Sequence, residues 1–363
     1  MDRSTKVGVW IIAAGVIVGF LYLGRALLAP FAMAVFLFLV MEGFAGAIDR
    51  RSRLVKRGAA RLFSILIVTF GFGLYIALLA RGVAQFGGQS ALYENRINEL
   101  ISDIYSAVQL SNAPTLSDLL FGEPGRRLLA TLGATTGELS ENLILIFLYV
   151  GFLFLAQSNW SMKLDLIFKE RDQREQVRDV GDAALRGIET YLWTQTVISL
   201  FTTILTYMTL ILLGAENALF LAALIFVLNY IPTIGSIVAA LVPLLFVIVQ
   251  PTVPGWVPGS APENSYIYAA IVFAGVSFWQ FFFGNFVQPR MMGDSLNLSA
   301  LVVLIALAVW GAIWGIPGMF LSAPLTVLMM ILFAQSDSTR WIAILLSADG
   351  KPNKYQLQPA PES

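Results

Sequence analysis

The octapeptide Asn229-Tyr230-Ile231-Pro232-Thr233-Ile234-Gly235-Ser236 concentrates the chemistry of this sequence. It interrupts an apolar run from Ala218 to Val249 with side-chain oxygens on Asn229, Thr233 and Ser236. Pro232 has no backbone N–H, and its ring meets the carbonyl four residues back, so a helix breaks there. Gly235 is expected to supply the backbone angles of a sharp reversal. Carbonyls released by such a break, with the hydroxyl and amide oxygens, suit Na+ or the hydroxyls of a polar solute. The competing expectation is that these side chains bond only to the loop's own backbone. A second interruption, Gly315-Ile316-Pro317-Gly318, divides the run from Leu298 to Phe333. It has no polar side chain, so any role there belongs to backbone groups. Paired breaks of this kind point to a transporter binding site.

Further polar residues stand inside apolar stretches. Gln195, Ser199, Thr202 and Thr206 recur at three- and four-residue steps, giving one polar face of a helix. Such a face lines a pathway or bonds to neighbouring helices. Gln280 and Asn285, with Gln288, fall at the inner end of a later span, where Arg290 anchors at the interface. Glu42 is the carboxylate set well inside an apolar stretch, and is a candidate for proton coupling because burying its charge is costly. Its place two turns from Asp49 also lets it reach water or pair with a loop cation. The chain has no His and no Cys. Cys/His zinc sites, thiolate nucleophiles and Ser-His triads are thereby excluded, and no catalytic residue, metal site or resident cofactor is expected. Na+ and H+ remain as coupling ions.

The elements that must position these groups are membrane spans. The 363 residues are 57% hydrophobic and 13% charged, well outside the range of soluble domains. Zero formal net charge gives no reason to expect a nucleic-acid partner. A span needs about 20 apolar residues. Val7–Leu28, Phe31–Ile48, Leu62–Ala84 and a short Leu143–Gln157 qualify in turn, with Pro30 marking a tight turn between the first two. Residues 85–142 form a polar helical insertion, punctuated by Pro114 and by Gly122-Glu123-Pro124-Gly125. Residues 158–190 read as an amphipathic helix near the membrane surface, and Tyr191–Leu213 as the fifth span. Lys and Arg are dense at 49–61 and 158–190 and absent from 250–265, which puts both termini in the cytoplasm and the insertion outside.

Ala218–Val249 as one helix would be about 48 Å long, too long for a core of roughly 30 Å, while half of it is too short to cross. A re-entrant hairpin with Asn229–Ser236 at its tip resolves this. Leu298–Phe333, tipped by Gly315–Gly318, is read the same way from the opposite side. The expected fold is all-α and polytopic, with eight membrane-embedded segments, two of them broken re-entrant helical hairpins in inverted orientation. Its divisions are residues 1–84 (spans one to three), 85–142 (insertion), 143–190 (fourth span and amphipathic helix), 191–335 (a transport unit of two span-plus-hairpin repeats) and 336–363 (cytoplasmic tail).

The octapeptide, Gly284-Asn285, Pro289-Arg290-Met291-Met292-Gly293, Leu301-Val302-Val303, Gly315 to Leu321 and Ser322-Ala323-Pro324-Leu325 carry a resemblance. In order and spacing they resemble the autoinducer-2 exporter family of bacterial membrane proteins over nearly the whole chain. Where members often have His-Pro this chain has Ser299-Ala300, so a role tied to that histidine is absent. The resemblance implies the inner membrane, homo-oligomeric assembly as a pentamer, and export of autoinducer-2 in some members but Na+(Li+)/H+ antiport in others. The leading expectation is therefore efflux of a small polar solute by alternating access, the hairpin tips meeting near the midplane. A cation/proton antiporter is the alternative, and a non-transporting membrane scaffold the alternative of another class.

Overall fold

The computed structural model describes residues 3–51, 57–88, 90–107, 109, 114–115, 118, 142–157, 160–168, 170–250, 252–258, 263–292 and 297–352. Among them the regular structure is helical, apart from an isolated antiparallel bridge between Leu298 and Ser347. The helices are α1 (Arg3–Leu23), α2 (Arg25–Arg51), α3 (Arg57–Gly88), α4 (Ser90–Ala107), α5 (Asn142–Gln157), α6 (Trp160–Ile167) and α7 (Arg171–Leu212). Then come α8 (Ala218–Leu228), α9 (Ile234–Ile248), α10 (Glu263–Phe282), a π-helical turn Phe283–Val287, α11 (Gln288–Met292), α12 (Ala300–Trp314), α13 (Ile316–Ala334) and α14 (Arg340–Leu346). The punctuation at Gly122–Gly125 and the tail beyond Pro352 lie outside the described residues. Two compact units form: residues 1–66, 142–195 and 291–363, and residues 67–141 and 196–290.

Five helices among the described residues are long and apolar enough to cross a membrane: Arg25–Gly46, Leu62–Gln85, Arg171–Leu212, Ser265–Met292 and Ile316–Ala334. Asn142–Gln157, Ala218–Leu228, Ile234–Ile248 and Ala300–Trp314 are apolar but shorter. The 11 and 15 residues of α8 and α9 reach roughly 17 and 22 Å, short of a core of about 30 Å. In the second hairpin the break is off-centre: α13 has 19 residues and is long enough to cross.

Two boundaries differ from the sequence expectation. The first interruption lies at Gly24, and Pro30 is inside α2. Gly24 N donates to Phe20 O and Leu28 N donates to Gly24 O, so helical bonding runs through the junction, and Pro30 only removes a donor from Ala26 O. The amphipathic segment and the fifth span are one helix, α7, of 42 residues and about 63 Å. No proline separates its charged first half from its apolar second half, so the change in composition marks a change of environment, not of backbone. Helix α5 is described from Asn142, and an earlier start would lie outside the described residues.

The second unit is built around the first hairpin. Leu221 and Ile225 of α8, Ala239 and Val247 of α9, Leu210 of α7 and Val272 and Val276 of α10 form its core. The phenol of Tyr75 on α3 donates to Ala223 O at 3.0 Å. In the first unit α12 and α13 pack as a hairpin. The C-terminal segment ties its base: Ser299 N donates to Leu346 O at 3.1 Å and Ala348 N to Asn297 O at 2.9 Å.

Candidate functional site

The tip of the first hairpin closes on itself. Asn229 N donates to Ile225 O, Tyr230 N to Val227 O, Ile231 N to Leu228 O and Gly235 N to Ile231 O, all at 2.9–3.0 Å. The reversal is made by Thr233, at φ 61° and ψ −59°, and Gly235 is already helical. This corrects the expectation for Gly235. What Gly235 provides is proximity, since a Cβ there would lie 1.8 Å from Leu228 O. A β-branched residue at positive φ is a strained choice, of order 1–3 kcal/mol. Thr233→Gly should accordingly raise stability by about 1 kcal/mol after glycine's own entropy cost, read as a higher unfolding midpoint in lipid nanodiscs. An unchanged or lower midpoint would show that the turn stores no strain.

Ser236 Oγ donates to Thr233 O at 2.9 Å, so this hydroxyl serves the loop's own backbone. Asn229 Oδ1 is shielded from solvent. The tip is held by Tyr230, a member of the octapeptide with no role of its own assigned from sequence: its OH donates to Thr196 Oγ1 at 2.7 Å inside the core, and its ring meets Phe226 edge-on. Thr196 belongs to α7, whose polar face is buried: Gln195, Ser199, Thr202 and Thr206 are each at most 5% exposed. Thr202 Oγ1 donates to Ile198 O at 2.8 Å.

On α10 the candidates separate. Gln280 keeps a shielded Nε2, with no hydrogen-bond partner among the described residues. Asn285 is exposed and sits in the π-helical turn, where its Nδ2 donates to Phe281 O at 2.9 Å. A π turn shifts bonding by one residue, and the Asn285 amide bonds the backbone carbonyl four residues back in its own helix.

The second tip pairs Gly315, at φ 66° and ψ −140°, with Pro317 in the first turn of α13. Gly318 provides the close approach, its Cβ position being 1.9 Å from Trp310 O. A chain of polar groups beside it is bonded within the hairpin. Trp310 Nε1 donates to Thr326 Oγ1, which donates to Ser322 O, and Ser322 Oγ donates to Met319 O. Gln195, Glu42, Gly315, Pro317 and Gly318 belong to the first unit, and Ser199, Thr202, Asn229, Pro232, Thr233, Gly235, Ser236, Gln280 and Asn285 to the second. Next to Glu42, Gly43 brings α2 onto α7, its Cβ position lying 3.7 Å from Glu189 Cγ. Among the described residues no group of three or more Asp, Glu, His or Cys stands together to hold a metal ion.

A polar network also closes the base of the first hairpin. Glu216 N donates to Gln250 Oε1 at 3.0 Å, and Glu216 accepts from Thr252 Oγ1 at 2.7 Å and from the buried Tyr93 OH at 3.2 Å. Glu216 and Gln250 flank the apolar run in sequence, and that pairing was the available signal. Burial, then the charge of Glu216 and the hydrogen bond to it, push the Tyr93 phenol from 10.0 up to about 12. Folding thus favours the protonated phenol. The stability it contributes is whole below pH 10.0 and is lost as pH rises through about 12. A titration of tyrosinate absorbance should show one group fewer ionising in that upper range in Tyr93→Phe than in the wild type; identical curves would remove the phenol from the network.

The description "AI-2E family transporter" matches residues 11–337. The AI-2 transport protein TqsA of Escherichia coli (strain K12) is 28% identical over 330 residues, covering 88% of this chain and 89% of that protein. A putative transport protein of Haemophilus influenzae is 27% identical over 337 residues, covering 89% and 91%. The putative transport protein YhhT of Escherichia coli (strain K12) is 24% identical over 344 residues, covering 93% and 92%.

Proposed function

Because the chain belongs to the AI-2E transporter family, we propose that it exports a small polar solute across the bacterial inner membrane by alternating access. The observation that carries this reading is the first hairpin. Two helices too short to cross the core meet at a strained, closely packed tip beside a buried polar helix face. A break of that kind inside hydrocarbon is tolerated where it lines a cavity or is buried in protein. Residues 191–335 supply both hairpins and are the transport unit in this proposal. The name of the TqsA relative supports autoinducer-2 as the solute. Termini in the cytoplasm and a pentameric homo-oligomer complete the reading, the first from the Lys and Arg bias and the second from the family.

Na+(Li+)/H+ antiport is the second reading, favoured by the packing of Gly43 against Glu189 beside Glu42. Two carboxylates on facing helices are a means of taking up and releasing a proton. Purified protein in proteoliposomes separates the readings. Flux of labelled autoinducer-2 that persists without Na+ and survives Glu42→Gln supports export. Proton movement that requires Na+ or Li+ and is lost in Glu42→Gln supports antiport. No flux of either kind from intact oligomer leaves the scaffold.

A further inference from the structure

Helix α14 runs across the foot of the second hairpin. At its start, Thr339 Oγ1 donates to Phe333 O, in the last turn of α13, at 2.8 Å. At its end, Leu346 O accepts from the N–H of Ser299, the residue before α12, and Ser347 forms the bridge to Leu298. Seven residues make a rod of about 10 Å, close to the spacing of two packed helices. The rod therefore joins the end of α13 to the start of α12 and does not carry the path of α13 onward. Helix α13 is long enough to cross a membrane, so its foot, and α14 with it, lies at a membrane boundary.

What α14 presents at that boundary is apolar. Trp341, Ile344 and Leu345 are 60%, 43% and 66% exposed, and residues three and four apart share one face of a helix. Ala343, on the opposite side, is wholly buried, which fixes this face outward. Arg340, one turn before Ile344, is exposed and borders the face. Exposed polar residues flank the helix, Ser336 to Ser338 before it and Asp349 after it. An apolar patch between exposed polar segments suits the layer where headgroups meet acyl chains. Tryptophan is enriched in that layer, and arginine reaches its phosphates along an apolar stem. A second copy of the chain is a poorer occupant. Three side chains fall far short of the roughly 800 Å² that each partner of a stable complex buries.

We infer that α14 is an interfacial anchor that binds the phospholipid surface. Trp341, Ile344 and Leu345 insert among the lipids at the headgroup boundary, and Arg340 meets a lipid phosphate. The anchor holds the foot of the second hairpin at one depth in the bilayer. It rests on α13 crossing the membrane and not on what the protein transports. In the sequence these residues fall in the tail from 336 to 363, because seven residues are too few to show a period.

The chain has no cysteine, so Ile344→Cys and Leu345→Cys each introduce a single thiol. Ser338→Cys, at an exposed polar position, is the water-facing control, and Leu332→Cys, 55% exposed on α13, checks that α13 meets lipid. Each variant is labelled with bimane in nanodiscs of phosphatidylcholine and phosphatidylglycerol. The quenchers are lipids with a nitroxide near the headgroup, lipids with a nitroxide near the end of the acyl chain, and aqueous iodide. At Ile344 and Leu345 the shallow nitroxide should quench at least about twofold more than the deep one, with iodide the weakest. At Ser338 iodide should be the strongest. Iodide dominance on α14, with lipid quenching at Leu332, would put the face in water. Deep quenching would put it in the hydrocarbon core, and resistance to all three quenchers would mean that protein covers it. Each of these results overturns the anchor. A label-free measurement guards against a probe that drags the helix into lipid. Lipids brominated near the headgroup should quench more tryptophan fluorescence in the wild type than in Trp341→Phe, and equal quenching would also overturn the anchor.

Discussion

Gly235→Ala should abolish flux per folded molecule and lower the unfolding midpoint. The added methyl would lie 1.8 Å from Leu228 O, 2.8 Å from Leu228 C and 3.2 Å from the Ile231 Cβ. A carbon and a carbonyl oxygen need well over 3 Å, and the atoms in the way are backbone, which no rotamer change can move. The end of α8 and the start of α9 must separate by more than 1 Å, straining the Gly235 N to Ile231 O bond that closes the turn. Overpacking of this kind costs about 1–3 kcal/mol where side chains can yield, and the upper end or beyond applies here. Tyr230 would be displaced with the tip, weakening its bond to Thr196. Gly71→Ala is the control: it is in the interior of α3, its Cβ position meets nothing within 4 Å, and alanine should stabilise the helix by up to about 1 kcal/mol. The measurements are the unfolding midpoint in nanodiscs and initial flux in proteoliposomes normalised to folded protein. Wild-type values for Gly235→Ala would mean that the working tip is not the closed one.

What could be read from the sequence depended on how locally each feature is encoded. The two tips were legible because Pro232 and Pro317 act on their own backbone and need no partner. Which residue turns the chain was not, since a glycine kept for positive φ and one kept for close approach look alike. Gly315 is the first kind, Gly235 and Gly318 are the second, and Thr233 takes the strained angle that sequence assigned to Gly235. The buried face of α7 was legible from its period, and Gln195, Ser199, Thr202 and Thr206 are all buried. The join between the amphipathic segment and the fifth span was not, because hydropathy reports surroundings and helices continue until something breaks them. The π turn that holds Asn285 was not legible for a third reason: one extra residue in a helical turn leaves no mark in composition or hydropathy. Tyr93 with Glu216, and Gly43 with Glu189, pair residues far apart in the chain, and nothing local announces such contacts.

The second hairpin should respond differently to the same substitution. In Gly318→Ala the methyl would lie 1.9 Å from Trp310 O, 2.6 Å from Trp310 C and 3.0 Å from the Trp314 Cβ. Relief requires moving the end of α12, and that end is fixed from several sides. Trp310 and Trp314 pack with ring centroids 5.2 Å apart, and Trp310 Nε1 is bonded to Thr326. Trp314 Nε1 donates to Leu21 O at 3.1 Å, linking the hairpin to the end of α1. Displacing both tryptophans therefore breaks bonds on α1 and α13 together, and the expected loss is about 3–5 kcal/mol, in the range of damaged buried networks. Thr326→Val, which removes one member of the network and keeps its volume, should cost only about 1–2 kcal/mol. Gly318→Ala should thus deplete the folded protein recovered from membranes, while the molecules that do fold retain flux. Gly235→Ala, in the hairpin with the strained turn, should lower flux per molecule. If Gly318→Ala instead spares stability and stops flux, the second tip is the moving part, and the roles of the two hairpins are exchanged.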